Sequence, residues 1–209
     1  MATHSYGAPT VSAREDVHVR WEALGAGLAG VAWVVAGLVA SVTVGQALLP
    51  VLAIYAIALI GVIVGLSGLY ARQARSLGWL GSTGFFAAFL GSALALVAVV
   101  LILLSSGAFL ARELGTQAMG LGLTGILLGF VVSSVGVVLL GVGTLLARAL
   151  PLWCGVALIA LPFSAAVNDY GGWIVFGLLW LALGYVLWSE RGEVDRRLTR
   201  ASGVSEDDQ

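Results

Sequence analysis

The sequence predicts an all-α polytopic membrane protein with six transmembrane helices arranged as three hairpins. Hydrophobic residues make up 60 % of the 209 residues and charged residues only 10 %, with a mean hydropathy of +1.03. Soluble domains are far less apolar. Six long apolar runs contain no charged residue, and all 21 charges (10 Arg plus 11 Asp or Glu) lie outside or between these runs. A chain with this pattern is expected to cross a bilayer several times.

Each apolar run is close to the length of about 20 residues that a helix needs to cross about 30 Å of hydrocarbon. The fifth and sixth runs are near the lower limit, and Pro162 interrupts the fifth, so a kink or a partial re-entry is an alternative there. Trp153, Tyr170, Trp173 and Trp188 lie at the ends of these two runs, as interfacial anchors do. The predicted domains are an N-terminal tail (1–22), a transmembrane domain (23–189) with spans 24–44, 48–70, 79–104, 120–146, 150–167 and 172–188, and a C-terminal tail (190–209).

The C-terminal tail divides into two parts. Ser189–Arg200 is able to continue the sixth helix, whereas the acidic end at Glu206–Asp208 has a composition typical of disorder.

The arginine distribution orients the chain. If the N-terminus is cytoplasmic, the cytoplasmic segments carry nine Arg residues, and the outer turns carry only Arg112, which is next to Glu113. This excess follows the positive-inside rule, and five or seven spans would break it. We therefore expect a multi-pass protein of the inner or plasma membrane with both termini in the cytoplasm. The nine residues are Arg14, Arg20, Arg72, Arg75, Arg148, Arg191, Arg196, Arg197 and Arg200.

The ends of the even-numbered spans resemble one another. Each has a Gly seven residues before the Arg at its cytoplasmic exit, in Gly65–Arg72, Gly141–Arg148 and Gly184–Arg191. This similarity favours a hairpin repeated three times, although similar exits from a membrane would also produce it.

Small residues are predicted to hold the helices together. Lipid is as apolar as Leu, so membrane helices associate through close backbone packing. Gly61 and Gly65 in the second span, and Gly125, Gly129 and Ser133 in the fourth, are spaced by four and share one helix face. We expect these residues to pack inside the bundle, and a dimer face on the fourth span is the alternative.

The candidate pore residues are hydroxyl-bearing. Ser67, Ser134 and Thr144 lie within predicted spans, and Asp169 lies in an outer turn where it is a candidate for the mouth of a path. Each also has a structural explanation, because membrane Ser and Thr bond to helix carbonyls and Asp in a turn bonds to nearby amides.

Several function classes are excluded by what the spans lack. No His, Lys or carboxylate lies within a predicted span, so neither a bis-His haem site nor a retinal Schiff base nor a Ser–His–Asp triad can form there. His4 and His18 are too few for a metal site, and Cys154 has no disulfide partner. The net charge of −1 argues against nucleic acid. We expect no catalytic residue, cofactor, metal or enzymatic activity.

Two stretches of the chain resemble a known group of proteins. Gly68–Gly91 (GLYARQARSLGWLGSTGFFAAFLG) and the C-terminal LLWLALGYVLWSER look like a large group of uncharacterised small prokaryotic membrane proteins with six helices. The resemblance implies an integral membrane protein and brings no catalytic motif with it. In hairpin triplication alone, the chain is also similar to the acid-resistance membrane proteins with three two-helix repeats.

Two functions remain open from the sequence. The first is a non-enzymatic accessory, assembly or stress-related component whose partners are the bilayer and a membrane protein or a second copy. The alternative is a small channel or transporter for a neutral or weakly polar solute. The first function predicts a tightly packed bundle without an aqueous path. The second predicts a polar cavity near mid-membrane, lined by Ser67, Ser133, Ser134 or Thr144.

Overall fold

The computed structural model describes residues 12–43, 48–74, 76–106, 112–148, 150–167 and 171–202, which form six α-helices and no β-strand. The predicted all-α class is therefore confirmed. The helices are α1 (Ser12–Thr43), α2 (Leu48–Gln73), α3 (Trp79–Ser106), α4 (Arg112–Ala147), α5 (Leu152–Val167) and α6 (Gly171–Ser202).

Four of these helices are long and apolar enough to cross a membrane, as expected of a membrane protein. Their apolar stretches are Ala23–Val42, Leu49–Ala71, Trp79–Ser105 and Met119–Ala147. The corresponding stretches of α5 and α6 are shorter.

Three helices extend beyond the apolar runs that predicted them. α1 begins at Ser12 and α4 at Arg112, both well before the predicted spans, and α6 continues to Ser202. Hydropathy marks where a helix can lie in lipid, whereas Ala, Arg, Glu and Leu favour a helix in water as well. The start of α1 reads Ser-Ala-Arg-Glu, a pattern typical of helix N-termini.

The six helices form a closed ring. Each helix packs against its neighbours in sequence, and α1 also packs against α6. Neighbours run antiparallel, because Gly25 faces Val64 while Gly61 faces Ala29. We call the end where α2 and α4 stop, next to Arg148, the arginine end. The opposite end, where α2, α4 and α6 begin, is the aromatic end.

The three hairpins do not pack equivalently. The α3–α4 contact is the most extensive in the ring and the α5–α6 contact is the smallest of the main ones. The similar glycines also face different neighbours, since Gly65 contacts α1 within its own hairpin whereas Gly141 contacts α5 in the next one. The similarity of the hairpin ends thus does not extend to their packing.

The α3–α4 contact brings one backbone directly onto the other. A Cβ added at Gly129 would lie 2.6 Å from the Gly91 carbonyl oxygen and 2.7 Å from the Ala95 nitrogen. A Cβ added at Gly84 would lie 2.9 Å from the Gly136 carbonyl oxygen. Side-chain atoms do not approach backbone so closely, so only glycine permits this contact.

The arginine end of the ring is filled by its own side chains. Leu66, Leu140 and Leu158 are fully buried and come from three different helices. The rings of Tyr70 and Phe85 stack there with centroids 4.1 Å apart. This half of the interior is packed in the way that protein cores are.

The residue that follows α4 has an unusual backbone conformation. Arg148 has a φ of 50°, which is the left-handed region that favours glycine. Its amide still donates to the carbonyl of Thr144 at 3.1 Å. Such a residue is a common way to end a helix, and α5 starts just after Pro151, a residue suited to helix beginnings.

Replacing Gly129 with Leu should separate α3 from α4, because the new side chain would meet backbone on the facing helix. We expect a loss of stability of more than about 3 kcal/mol, at the upper end for overpacking. The measurement is the yield and thermal stability of monodisperse protein in mild detergent. Gly120→Leu is the matched control on the same helix, since nothing lies within 4 Å of a Cβ there. Equal behaviour of the two variants would contradict this packing.

Replacing Arg148 with Gly should stabilise the protein by about 1 kcal/mol, because Gly adopts positive φ without steric cost. The free energy of unfolding in mixed micelles measures the effect. Arg148→Ala removes the same charge and keeps the Cβ, so it should show no gain. A gain of the same size with Ala would assign the effect to the charge.

Candidate functional site: a serine cavity beside an aromatic chamber

Two serine hydroxyls meet inside the ring. Ser92 Oγ of α3 and Ser133 Oγ of α4 are 3.1 Å apart and form a hydrogen bond between helices. Both residues lie near the middle of the apolar stretches of their helices. They reach each other because Gly91 and Gly129 allow the two backbones to touch one turn away.

A small cavity lies beside these hydroxyls, which we call the serine cavity. Its volume, measured as space open to the centre of a water molecule, is about 40 Å³, and all six helices contribute to its walls. Ser92, Ser133 and Ser134 line it, and the other lining residues are apolar or aromatic, with Tyr55 carrying one further hydroxyl. One water needs roughly 10–15 Å³ by this measure. The serine cavity therefore has room for a few waters or for a very small solute.

A second, larger space adjoins the serine cavity towards the aromatic end, and we call it the aromatic chamber. Its volume by the same measure is about 370 Å³. Among the residues that the structure describes, its walls come from α1, α2, α4 and α6 and carry no carboxylate or amine. The lining residues are Trp33, Val51, Leu52, Tyr55, Leu123, Ile126, Leu127, Phe130, Trp173 and Phe176.

Aromatic rings separate the two spaces. Trp33, Tyr55, Phe130 and Phe176 line both the chamber and the serine cavity. The centroid of the Trp33 ring is 4.9 Å from that of Tyr55 and 4.8 Å from that of Phe176. The Trp33–Tyr55 contact is edge to face, a geometry that aromatic pairs prefer, and the Phe176 ring is tilted by 59° against Trp33. The boundary is therefore a set of rings contributed by four helices.

Thr144 takes part in a buried polar contact at the arginine end. Its Oγ1 lies 2.9 Å from the Leu140 carbonyl oxygen and 3.0 Å from the side-chain amide of Gln73, which is only 1 % exposed. A hydroxyl has one proton, so if it donates to Leu140, then the NH₂ of Gln73 must face it. Thr144 thus joins α4 to α2.

The structure brings some of the predicted pore residues together and separates others. Ser134 lines the serine cavity together with Ser133. Ser67 instead bonds to the carbonyl of Ile63 at 2.8 Å, and Thr144 is occupied by the contact with Gln73. Neither lines the cavity or the chamber among the described residues. Asp169 lies outside the described residues.

The predicted packing residues lie at two contacts between helices. A Cβ added at Gly61 would lie 2.8 Å from the Ala29 nitrogen of α1, and one added at Gly65 would meet Ala26. Gly125 and Gly129 face α3, where Ser133 also makes its hydrogen bond. The face of α4 that could have served a dimer is therefore covered by α3 of the same chain.

The aromatic chamber was not predicted from the sequence. Trp33, Tyr55 and Phe176 belong to three helices and carry no shared motif, so only ring closure brings them together. The sequence shows Ser92 as a polar residue within a span. Its spacing of four residues from Ala88 and eight from Gly84 was the available signal that these residues share one helix face.

The hydrogen bond between Ser92 and Ser133 should contribute about 0.6 kcal/mol, which is typical for interhelical bonds in membranes. We expect a double-mutant cycle of Ser92→Ala and Ser133→Ala to yield a coupling energy of this size in unfolding titrations. The cycle of Ser92→Ala with Ser41→Ala is the control, because Ser41 is exposed and bonds to its own helix. Additive effects in the first cycle would show that the bond contributes nothing.

Comparison of the chain with protein-family models, curated proteins and solved structures finds no match. The resemblance of Gly68–Gly91 and of the C-terminal stretch to a group of six-helix membrane proteins stays a prediction.

Proposed function

We propose that the protein is a non-enzymatic component of the plasma or inner membrane with an accessory, assembly or stress-related role. The observation that carries this proposal is the closed arginine end. Leu66, Leu140 and Leu158 fill the ring interior there, and the stacked rings of Tyr70 and Phe85 add to it. In the part of the chain that the structure describes, a bundle that is packed across half its length offers no continuous aqueous path.

We also propose that all six helices cross the membrane and that both termini are cytoplasmic. Four helices meet the length and hydropathy that a span requires. The shorter α5 and α6 are part of the same closed ring, in which α6 packs along α1. The arginine distribution supports a cytoplasmic arginine end, and the polar extensions of α1 and α6 project beyond the apolar stretches at that same end.

A channel or transporter for a neutral or weakly polar solute is the second candidate, and one observation favours it. The serine cavity lies near the middle of the apolar stretches, where a solute site would lie, and the aromatic chamber extends from it towards the aromatic end. This candidate requires a second conformation in which the arginine end opens.

Cysteine accessibility separates the two candidates. Single cysteines replace Ser67, Ser133 or Thr144 in a Cys154→Ala background, and a membrane-impermeant thiol reagent is added outside intact cells. An accessory bundle predicts no labelling at these three positions, because the side chains are bonded or face a cavity of about 40 Å³. Labelling at several of them would reveal water inside the bundle and move the transporter ahead.

Asp169→Cys is the control, since the proposed topology leaves this turn outside. Failure of this control to label would contradict the six-span topology rather than the accessory role.

A further inference from the structure

We propose that the aromatic chamber is a binding site for one hydrocarbon chain of a lipid from the surrounding bilayer. This inference rests on the proposed membrane location and not on the accessory role. Neither candidate function assigns the chamber a ligand, and its volume is far larger than that of the serine cavity.

The chemistry of the walls selects an apolar ligand. The ten described residues that line it are aliphatic or aromatic, and among these the only polar side-chain atoms are the indole nitrogens of Trp33 and Trp173 and the hydroxyl of Tyr55. A cavity with such walls does not hold water stably, and apolar molecules enter it instead. A charged or strongly polar solute would lose its hydration there without compensation.

A chamber of this volume is energetically unfavourable if it stays empty. At about 370 Å³ it is within the range of pockets that bind small molecules, and it is far larger than the packing defects of ordinary cores. Wall atoms that face a void lose their dispersion contacts on that side. A hydrocarbon chain would restore these contacts along the flat rings of Trp33, Tyr55 and Trp173.

The α4 wall is open to the side on which lipid would lie. Leu127 is 67 % exposed although it lines the chamber, and Leu123 and Phe130 are exposed as well. These residues continue into the exposed apolar surface of the same helix, at Leu121 and Val131. Between Leu121 and Val131, a chain that lies against α4 meets no charged residue and a single hydroxyl, that of Thr124, which bonds to the Gly120 carbonyl of its own helix.

The back wall limits how far the chain can go. Leu52 of α2 lines the chamber, is only 9 % exposed and belongs to a buried cluster with Val99 and Ile102 of α3. The rings of Trp33, Tyr55 and Phe176 then close the chamber towards the serine cavity. The serine cavity, at about 40 Å³, is too small for a further length of chain.

Photocrosslinking tests this site with the full chain in vesicles of phosphatidylcholine that contains a photoactivatable group near the end of one acyl chain. Peptide mass spectrometry then locates the adducts. We expect adducts at Leu52 and Tyr55, which lipid around the outside of the bundle cannot reach, in addition to adducts on the exposed face of α4. Adducts confined to exposed residues would overturn the proposal, whether the chamber is then empty or closed by a second copy of the chain.

Filling the chamber should remove the internal adducts alone. In Leu127→Trp we expect the yield at Leu52 and Tyr55 to fall about tenfold, equivalent to about 1.4 kcal/mol of binding free energy, while the yield at Val135 stays unchanged. Leu121→Trp is the matched control, because Leu121 is 68 % exposed on the same helix and does not line the chamber. An unchanged yield at Leu52 in folded Leu127→Trp protein would contradict the proposal. Wild-type adducts at Leu52 test it even if this variant does not fold.

The crosslinking result and the thiol-labelling result are independent of each other. Internal adducts together with labelled positions at Ser67 and Thr144 would support the lipid site and reject the accessory role. Protection of Ser67 and Thr144 without internal adducts would support the accessory role and reject the lipid site.

Discussion

The close contact between the backbones of α3 and α4 is the constraint on which the interior of this bundle depends. Glycine on both helices, at Gly91 and Gly129 above all, removes the side chains that would otherwise hold the helices apart. In lipid no hydrophobic force drives helices together, so the contact must come from dispersion between backbones and from a few polar bonds. The bond between Ser92 and Ser133 is one of these, and it positions both hydroxyls at the serine cavity.

The two ends of the ring differ in the shape of the side chains that fill them. At the arginine end, branched Leu side chains interdigitate with small residues and leave a filled core. At the aromatic end, Trp33 packs edge to face against Tyr55 and Trp173 and is tilted against Phe176. Flat rings cannot fill the centre of a six-helix ring in the way that Leu does, and the aromatic chamber is the space that remains between them and α4.

This asymmetry bears directly on function. A path through the bundle would need polar groups along its length, yet the hydroxyls of Ser67 and Thr144 bond to carbonyls of their own helices and the arginine end is closed. The chamber, in contrast, opens beside exposed α4 residues such as Leu127, where the solvent of a membrane protein is hydrocarbon. The part of the molecule that is open to its surroundings is therefore apolar, which favours interaction with lipid over conduction of a polar solute.

Hydropathy alone was enough to locate six helices, because a single segment in lipid can form all its backbone hydrogen bonds only as a helix. Hydropathy could not locate the polar start of α1 or the polar end of α6, because a helix in water depends on the helix propensity of its residues instead. The spacing of Gly61 with Gly65, and of Gly125 with Gly129, identified a small-residue face but not the helix that covers it. The spacing of residues defines the faces of one helix, whereas the helix that packs against each face depends on how the six helices close into a ring. For the same reason, only the tertiary structure decided that Trp33, Tyr55 and Phe176 meet around a chamber, and that Ser133 of α4 bonds to Ser92 of α3.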